Sequence, residues 1–205
     1  MHATALLCIA AVAMSAAAET LRFGEYPIGA APAGWTCGAT GKGTPKWTVE
    51  TDATGDGGRV LRQSGVAAFP WCVRRDASLL DGFVEVRFKP LSGKEDQAGG
   101  VIWRWKDGDS YYVARANALE NNVSIYYVAA GSRKTIKYVD APVAGGQWHT
   151  LRVEFAGTKI GVSLDGKRYI DFDDSHIAGS GAVGVWTKAD SVTAFDEFGY
   201  GSGPR

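Results

Sequence analysis

The feature that most constrains this chain is a period of two. Apolar and polar residues alternate over short runs, each closed by Gly, Asp, Asn or Pro. In Phe83-Val84-Glu85-Val86-Arg87-Phe88, the side chains of Val84, Val86 and Phe88 share one face of an extended strand. Leu151, Val153 and Phe155 alternate with Arg152 and Glu154, and Ile160, Val162 and Leu164 with Gly161 and Ser163. Val183 and Val185 face away from Gly184 and Trp186. The same reading predicts strands at 101–105, 111–117, 123–128, 134–139, 168–172 and 192–198. Asp107-Gly108, Ala130-Gly131, Gly145-Gly146 and Asp165-Gly166 separate such runs. Glycine reaches positive φ without a Cβ penalty, which suits tight connections. No run carries the 3.6-residue period of a long amphipathic helix. About ten or more short strands with regular turns specify an all-β fold, two antiparallel sheets packed as a β-sandwich or jelly roll. The segment 38–58, rich in Gly, Thr and Asp, reads as a loop holding one short strand near 46–49.

The amino-terminal 18 residues contain no Asp, Glu, Lys or Arg. Their apolar run, 3–14, is shorter than the roughly 20 residues that a bilayer requires. Ala16-Ala17-Ala18 before Glu19 is the small-residue pattern that signal peptidase accepts. Residues 1–18 are therefore expected to be a signal peptide and 19–205 a single domain, secreted or periplasmic. The 22 acidic and 22 basic residues balance, so no strong field steers the chain to nucleic acid or an anionic membrane. No later segment is apolar enough to span a membrane. Cys8 falls within 1–18, which leaves Cys37 and Cys72 as a pair. In an exported protein they are expected to form one disulfide, worth roughly 4 kcal/mol by the chain-entropy argument.

Two segments carry a family likeness. Gln147-Trp148-His149-Thr150-Leu151-Arg152-Val153, Gly157 and Ile160-Gly161-Val162-Ser163-Leu164-Asp165-Gly166-Lys167 resemble the hairpin of laminin-G-like and concanavalin A-like domains. Three runs in order add to this: Gly99-Gly100-Val101-Ile102-Trp103-Arg104-Trp105, then 111–122, then Gly184-Val185-Trp186-Thr187-Lys188-Ala189-Asp190. Together they resemble exported bacterial proteins with a 3-keto-disaccharide hydrolase domain, a branch of the concanavalin A-like lectin and glucanase superfamily. The resemblance implies a concanavalin A-like sandwich and a carbohydrate partner. It leaves three functions open: sugar recognition, cleavage of 3-keto glycosides by proton abstraction, or a laminin-G-like interaction module.

The residues decide part of the chemistry. The ExDxxE pattern of the superfamily's glucanases is absent, although retaining glycosidases need two carboxyls about 5–5.5 Å apart. Glu95 and Asp96 are neighbours, so they point to opposite faces of any strand. Asp171, Asp173 and Asp174 sit where a strand runs into a loop and read as polar surface, as does His176 beside them. His149 reads as a structural histidine, and Trp47 and Trp148 as structural tryptophans. Two histidines after residue 18 cannot build a His-rich zinc site. No cofactor is required. Calcium, which takes carboxylate and carbonyl oxygens, would recruit Asp196, with Glu25 as its partner; otherwise Asp196 is an edge acid facing water.

Sugars present apolar C–H faces edged by hydroxyls, so a sugar site needs aromatic rings and planar polar groups together. Arg104, Tyr112, Arg115, Asn117, Glu120, Asn122, Trp186 and Lys188 are the expected binding residues. Glu120 is also the candidate general base for 3-keto chemistry. Arg115 and Asn117 lie two apart and share a face, as do Trp186 and Lys188.

Overall fold

The computed structural model describes residues 18–203. The period of two is realised as fifteen strands: β1 (Glu19–Leu21), β2 (Trp35–Thr44), β3 (Trp47–Thr51), β4 (Arg59–Gln63), β5 (Val66–Leu79), β6 (Gly82–Ser92), β7 (Ala98–Asp107) and β8 (Ser110–Asn117), followed by β9 (Asn122–Ala129), β10 (Ser132–Asp140), β11 (His149–Ala156), β12 (Lys159–Leu164), β13 (Lys167–Asp173), β14 (Gly181–Trp186) and β15 (Val192–Gly201). They form two antiparallel sheets. The back sheet runs β13-β12-β11-β6-β15-β4-β3, with β1 also on β15, and the front sheet runs β10-β9-β8-β7-β14-β5-β2. This is the expected sandwich. Among the described residues no helix is long and apolar enough to cross a membrane. The expected signal peptide lies, but for Ala18, outside the described residues.

Turn chemistry acts where the sequence announced it. Asp165 and Gly166 join β12 to β13 with φ of 51° and 78°, and Ala130 and Gly131 join β9 to β10 with 49° and 72°. Two successive positive φ values are the signature of the two-residue turn whose twist matches its strands.

The segment 38–58 is not the expected loop. Most of it belongs to β2 and β3, and β2 pairs with β5 along nearly its whole length. The glycines that suggested a loop serve close packing instead. A Cβ on Gly38 would sit 2.7 Å from the Trp71 ring, so the missing side chain is what lets the indole lie down on β2. Cys37 and Cys72 are register partners on these strands and form the expected disulfide.

The main core lies between the sheets, with Val84, Val86, Phe88, Leu151 and Val153 facing Val101, Trp103, Tyr112, Ile125 and Val185. A second apolar layer covers the opposite face of the front sheet. It contains Val73, Ile102, Trp105, Tyr111, Val113, Tyr126, Val128 and Trp186, with Phe69 and Trp71 against them. One contact shows how a single sheet buries its outer face. The hydroxyls of Thr40 on β2 and Tyr111 on β8 lie 2.8 Å apart although three strands separate them. Four spacings of a flat sheet would be about 19 Å. The front sheet therefore curls into a trough, and its aromatic side chains fill the trough floor.

Candidate functional site

The register across the front sheet sets the site. Tyr138, Ser124, Arg115, Gly100, Trp186, Trp71 and Gly38 are successive cross-strand partners from β10 to β2. Strand alternation turns this whole row toward the trough. Gly100 is the gap in the row: a Cβ there would lie 3.3 Å from the Trp186 ring. The absent side chain lets Trp186 lean toward Arg115. Trp186 is fully buried and stacks on Phe69 with centroids 5.8 Å apart and planes 17° apart.

One end of the trough is polar. Asp96, fully buried just before β7, accepts from Arg115 Nη1 at 3.1 Å and Lys188 Nζ at 2.8 Å, both on Oδ2. Arg115 also bonds Glu120 through Nη2 and reaches Ser124 at 3.4 Å through Nε. Asn122 Nδ2 donates to Glu120 at 2.8 Å. The Asp190 carboxylate accepts the backbone N–H groups of Lys94, Glu95 and Asp96 at 2.6, 3.0 and 3.1 Å, which fixes the loop that delivers Asp96. Two carboxylates and two cations make the cluster electrically neutral. Two buried polar atoms in it have no hydrogen-bond partner among the described residues: Asp96 Oδ1 and Asn117 Nδ2.

The carboxyls differ in their titration. Burial pushes Asp96 above the usual carboxylate range, and Arg115 and Lys188 only partly oppose it. Burial also pushes Glu120 upward, but the Asn122 hydrogen bond and the Arg115 charge outweigh it, so its pKa is lowered. Beside the cluster opens a groove of about 360 Å³ lined by Lys42, Val66, Phe69, Glu95 and Lys188. A larger cavity of about 580 Å³ lies on the back sheet near Asp81, Lys159, Arg168 and Asp171; no residue of the polar cluster lines it, and of the expected binding residues only Arg104 comes near, 3.6 Å from Asp81.

The structure brings five of the expected residues together: Arg115, Asn117, Glu120, Asn122 and Lys188. Trp186 is on the same face but lies beneath Phe69, so it is no open stacking platform. Two expected residues lie elsewhere. Tyr112 alternates to the opposite face, stacks on Trp103 in the inter-sheet core at 5.1 Å and donates its hydroxyl to Asp174. Arg104 has φ of 49° where the β7 register shifts. That irregularity sends its guanidinium to the carbonyls of Gly157, Ile177 and Leu80 at 2.7, 3.1 and 3.3 Å.

The remaining candidates are structural. His149 bonds Asp165 at 2.7 Å and the Ala144 carbonyl at 3.0 Å, as expected of a satisfied histidine. His176 pairs with Asp174 at 2.8 Å and stacks on Tyr127, while Asp173 accepts from Thr158. Trp47 is in the core against Phe195, and Trp148 is held between Arg87 and Lys89. Asp196 is not an acid facing water. It is fully buried and accepts the N–H groups of Asp56 and Glu197 at 2.6 and 2.8 Å, while Glu25 is exposed. Among the described residues no group of three or more His, Cys, Asp or Glu is placed to hold a metal.

Sequence reasoning missed Asp96, Phe69, Trp71, Tyr126 and Tyr138 as members of this face. Alternation would have supplied Tyr126, two residues from Ser124. Nothing local announces Asp96, which reaches the site through its loop.

No protein-family model matches the chain, and no curated protein matches it. Solved structures do. A carbohydrate-binding module, CBM66 from Bacillus subtilis, superposes with a TM-score of 0.67 at 22% identity, over 80% of this chain and 93% of that one. A prokaryotic β-1,3-1,4-glucanase (lichenase) from a mouse hindgut metagenome gives 0.62 at 13%, over 90% and 98%. A Bacillus licheniformis β-glucanase gives 0.57 at 14%, over 90% and 98%. The fold is thus the concanavalin A-like jelly roll that the two sequence segments implied.

Proposed function

We propose that the chain is a carbohydrate-recognising β-sandwich that binds a neutral glycan at the polar end of the front-sheet trough. The observation that carries this reading is the charge-balanced Asp96–Arg115–Glu120–Lys188 cluster, whose Glu120 and Lys188 side chains stay 43% and 21% exposed and so present an acceptor and a donor beside the groove. Sugar hydroxyls supply both a donor and an acceptor, and the Phe69 ring in the adjoining groove supplies an apolar surface for C–H faces. A net-neutral cluster offers no excess cation for a uronic acid. The carbohydrate-binding neighbour supports the same class of ligand, and the Cys37–Cys72 disulfide supports a secreted or periplasmic location.

Recognition accounts for the geometry better than catalysis does. Asp96 and Glu120 are both tied to one guanidinium, and Asp171, Asp173 and Asp174 are engaged with Arg168, Thr158 and Tyr112 respectively. Abstraction of a proton from a 3-keto sugar would need Glu120 as a base with a pKa near the working pH. Its partners hold it low instead, so it acts as a hydroxyl acceptor.

Calorimetric titration of the protein with neutral and uronic-acid oligosaccharides tests the reading. A neutral oligosaccharide should bind, and Glu120→Gln should weaken it about 10- to 100-fold, the value of a hydrogen bond to a charged group. The Glu120 side chain is 43% exposed, so the variant should stay folded. Unchanged affinity in Glu120→Gln, or preference for the uronic acid, would refute the assignment.

A further inference from the structure

Arg133 projects from β10, a largely exposed edge strand that bonds only to β9 and carries a register shift two residues beyond it. Its guanidinium crosses the trough. It lies 4.1 Å from the Tyr126 ring centroid, 4.7 Å from Phe69 and 5.8 Å from Trp186. Phe69 and Trp186 are on strands β5 and β14, beyond β9, β8 and β7. Arg133 Nη1 is buried there without a hydrogen-bond partner among the described residues.

We propose that Arg133 is a displaceable plug over a ring-stacking subsite formed by Phe69 and Tyr126, with Trp186 packed beneath Phe69, which a neutral sugar ring occupies when the arginine swings out. The inference rests on the carbohydrate reading above and extends it to a second contact for the same ligand. A guanidinium is flat and weakly hydrated, and it stacks on aromatic faces much as the apolar face of a sugar does. It therefore fills the slot while marking its shape. The closed state is poorly secured, because Nη1, which carries two of the five N–H groups, forgoes water and finds no acceptor among the described residues. Opening needs only side-chain rotation, since the backbone bonds of β10 to β9 stay in place. The slot also adjoins the groove beside the polar cluster, for Phe69 lines both. A ligand held by Glu120 and Lys188 can thus extend along Phe69 into the place that Arg133 vacates.

A plug taxes binding, since the apparent affinity falls by the fraction of molecules that are open. A minor state at roughly 0.1–10% implies at least a tenfold effect. Arg133→Ala should therefore bind the oligosaccharide that wild-type protein binds about tenfold or more tightly, and Arg133→Lys, which lacks the planar group, by a smaller factor. Millimolar methylguanidinium should refill the slot of Arg133→Ala and return its affinity toward the wild-type value, while equal sodium chloride should not. Thermal melts of both variants establish that they are folded. Weaker or unchanged binding by a folded Arg133→Ala, with wild-type binding intact, would overturn the plug and leave the carbohydrate reading standing. Absence of binding by wild type and variants alike would overturn the carbohydrate reading and the subsite with it.

Discussion

Replacing Arg115 by leucine separates two roles of the polar cluster, anchoring the fold and holding the ligand. Asp96 is 0% exposed and Arg115 1%, so the variant removes one partner from a buried ion pair. Breaking such a pair from one side costs about 3–5 kcal/mol, because the remaining charge stays buried. Lys188 still holds Asp96 at 2.8 Å and is 21% exposed, which points to the lower end, about 3 kcal/mol. The cost depends on pH. Asp96 already titrates above its ordinary value, and loss of Arg115 raises it further. A raised carboxyl favours the protonated folded state below its unfolded pKa and loses that advantage as pH rises through its folded pKa. Glu120, lowered in part by Arg115, has the opposite sign: its contribution is present above the unfolded pKa and lost as pH falls through the folded one. Both effects make the deficit of Arg115→Leu larger in neutral than in acid solution. Urea unfolding at about pH 8 should show a loss near 3 kcal/mol, and at about pH 4.5 a smaller loss. A deficit under about 1 kcal/mol at both values, or one that grows toward acid, would refute the account of the buried pair.

Two further outcomes follow from burial and the cross-link. Trp186→Ala should cost about 3–5 kcal/mol of stability, as expected for a large core side chain, and a wild-type denaturation midpoint would place Trp186 at the surface. Reducing Cys37–Cys72 should lower unfolding free energy by roughly 4 kcal/mol, read as the shift in guanidinium midpoint with and without dithiothreitol, and coincident curves would exclude a stabilising cross-link.

Strands with one buried face were legible because alternation alone reveals them: β6, β11 and β12 appear in the sequence nearly as they fold. The front sheet is harder, because its curl buries both faces. In β7 and β14 every residue from Ala98 to Trp105 and from Gly181 to Trp186 is buried, so the polar half of the alternation is missing. Strand β2 was hidden by glycines whose purpose is to admit Trp71 and other chain segments. The pairing of Arg115 with Asn117 was readable from spacing. The depth of Trp186 was not, since it depends on Phe69 arriving from a strand more than a hundred residues earlier. Arg104 was misplaced because a local bulge exchanges the two faces of a strand, whereas Tyr112, three residues from Arg115 in a regularly paired strand, belongs to the opposite face by alternation alone.

The place of β15 in the back sheet governs the order in which the molecule can be assembled. This last strand lies between β6 and β4, and β1 also pairs with it. Until Val192–Gly201 leaves the ribosome, the strands already made can form only two separate half-sheets, each with an open edge where β15 will insert. Closure of the back sheet thus waits for β15 rather than proceeding by gradual accretion, and it joins residues far apart in sequence, as in the Glu19–Tyr200 pairing. Such non-local closure is slow and leaves unpaired edges exposed meanwhile. A nascent chain of this design remains unable to complete its back sheet until β15 has joined the two halves.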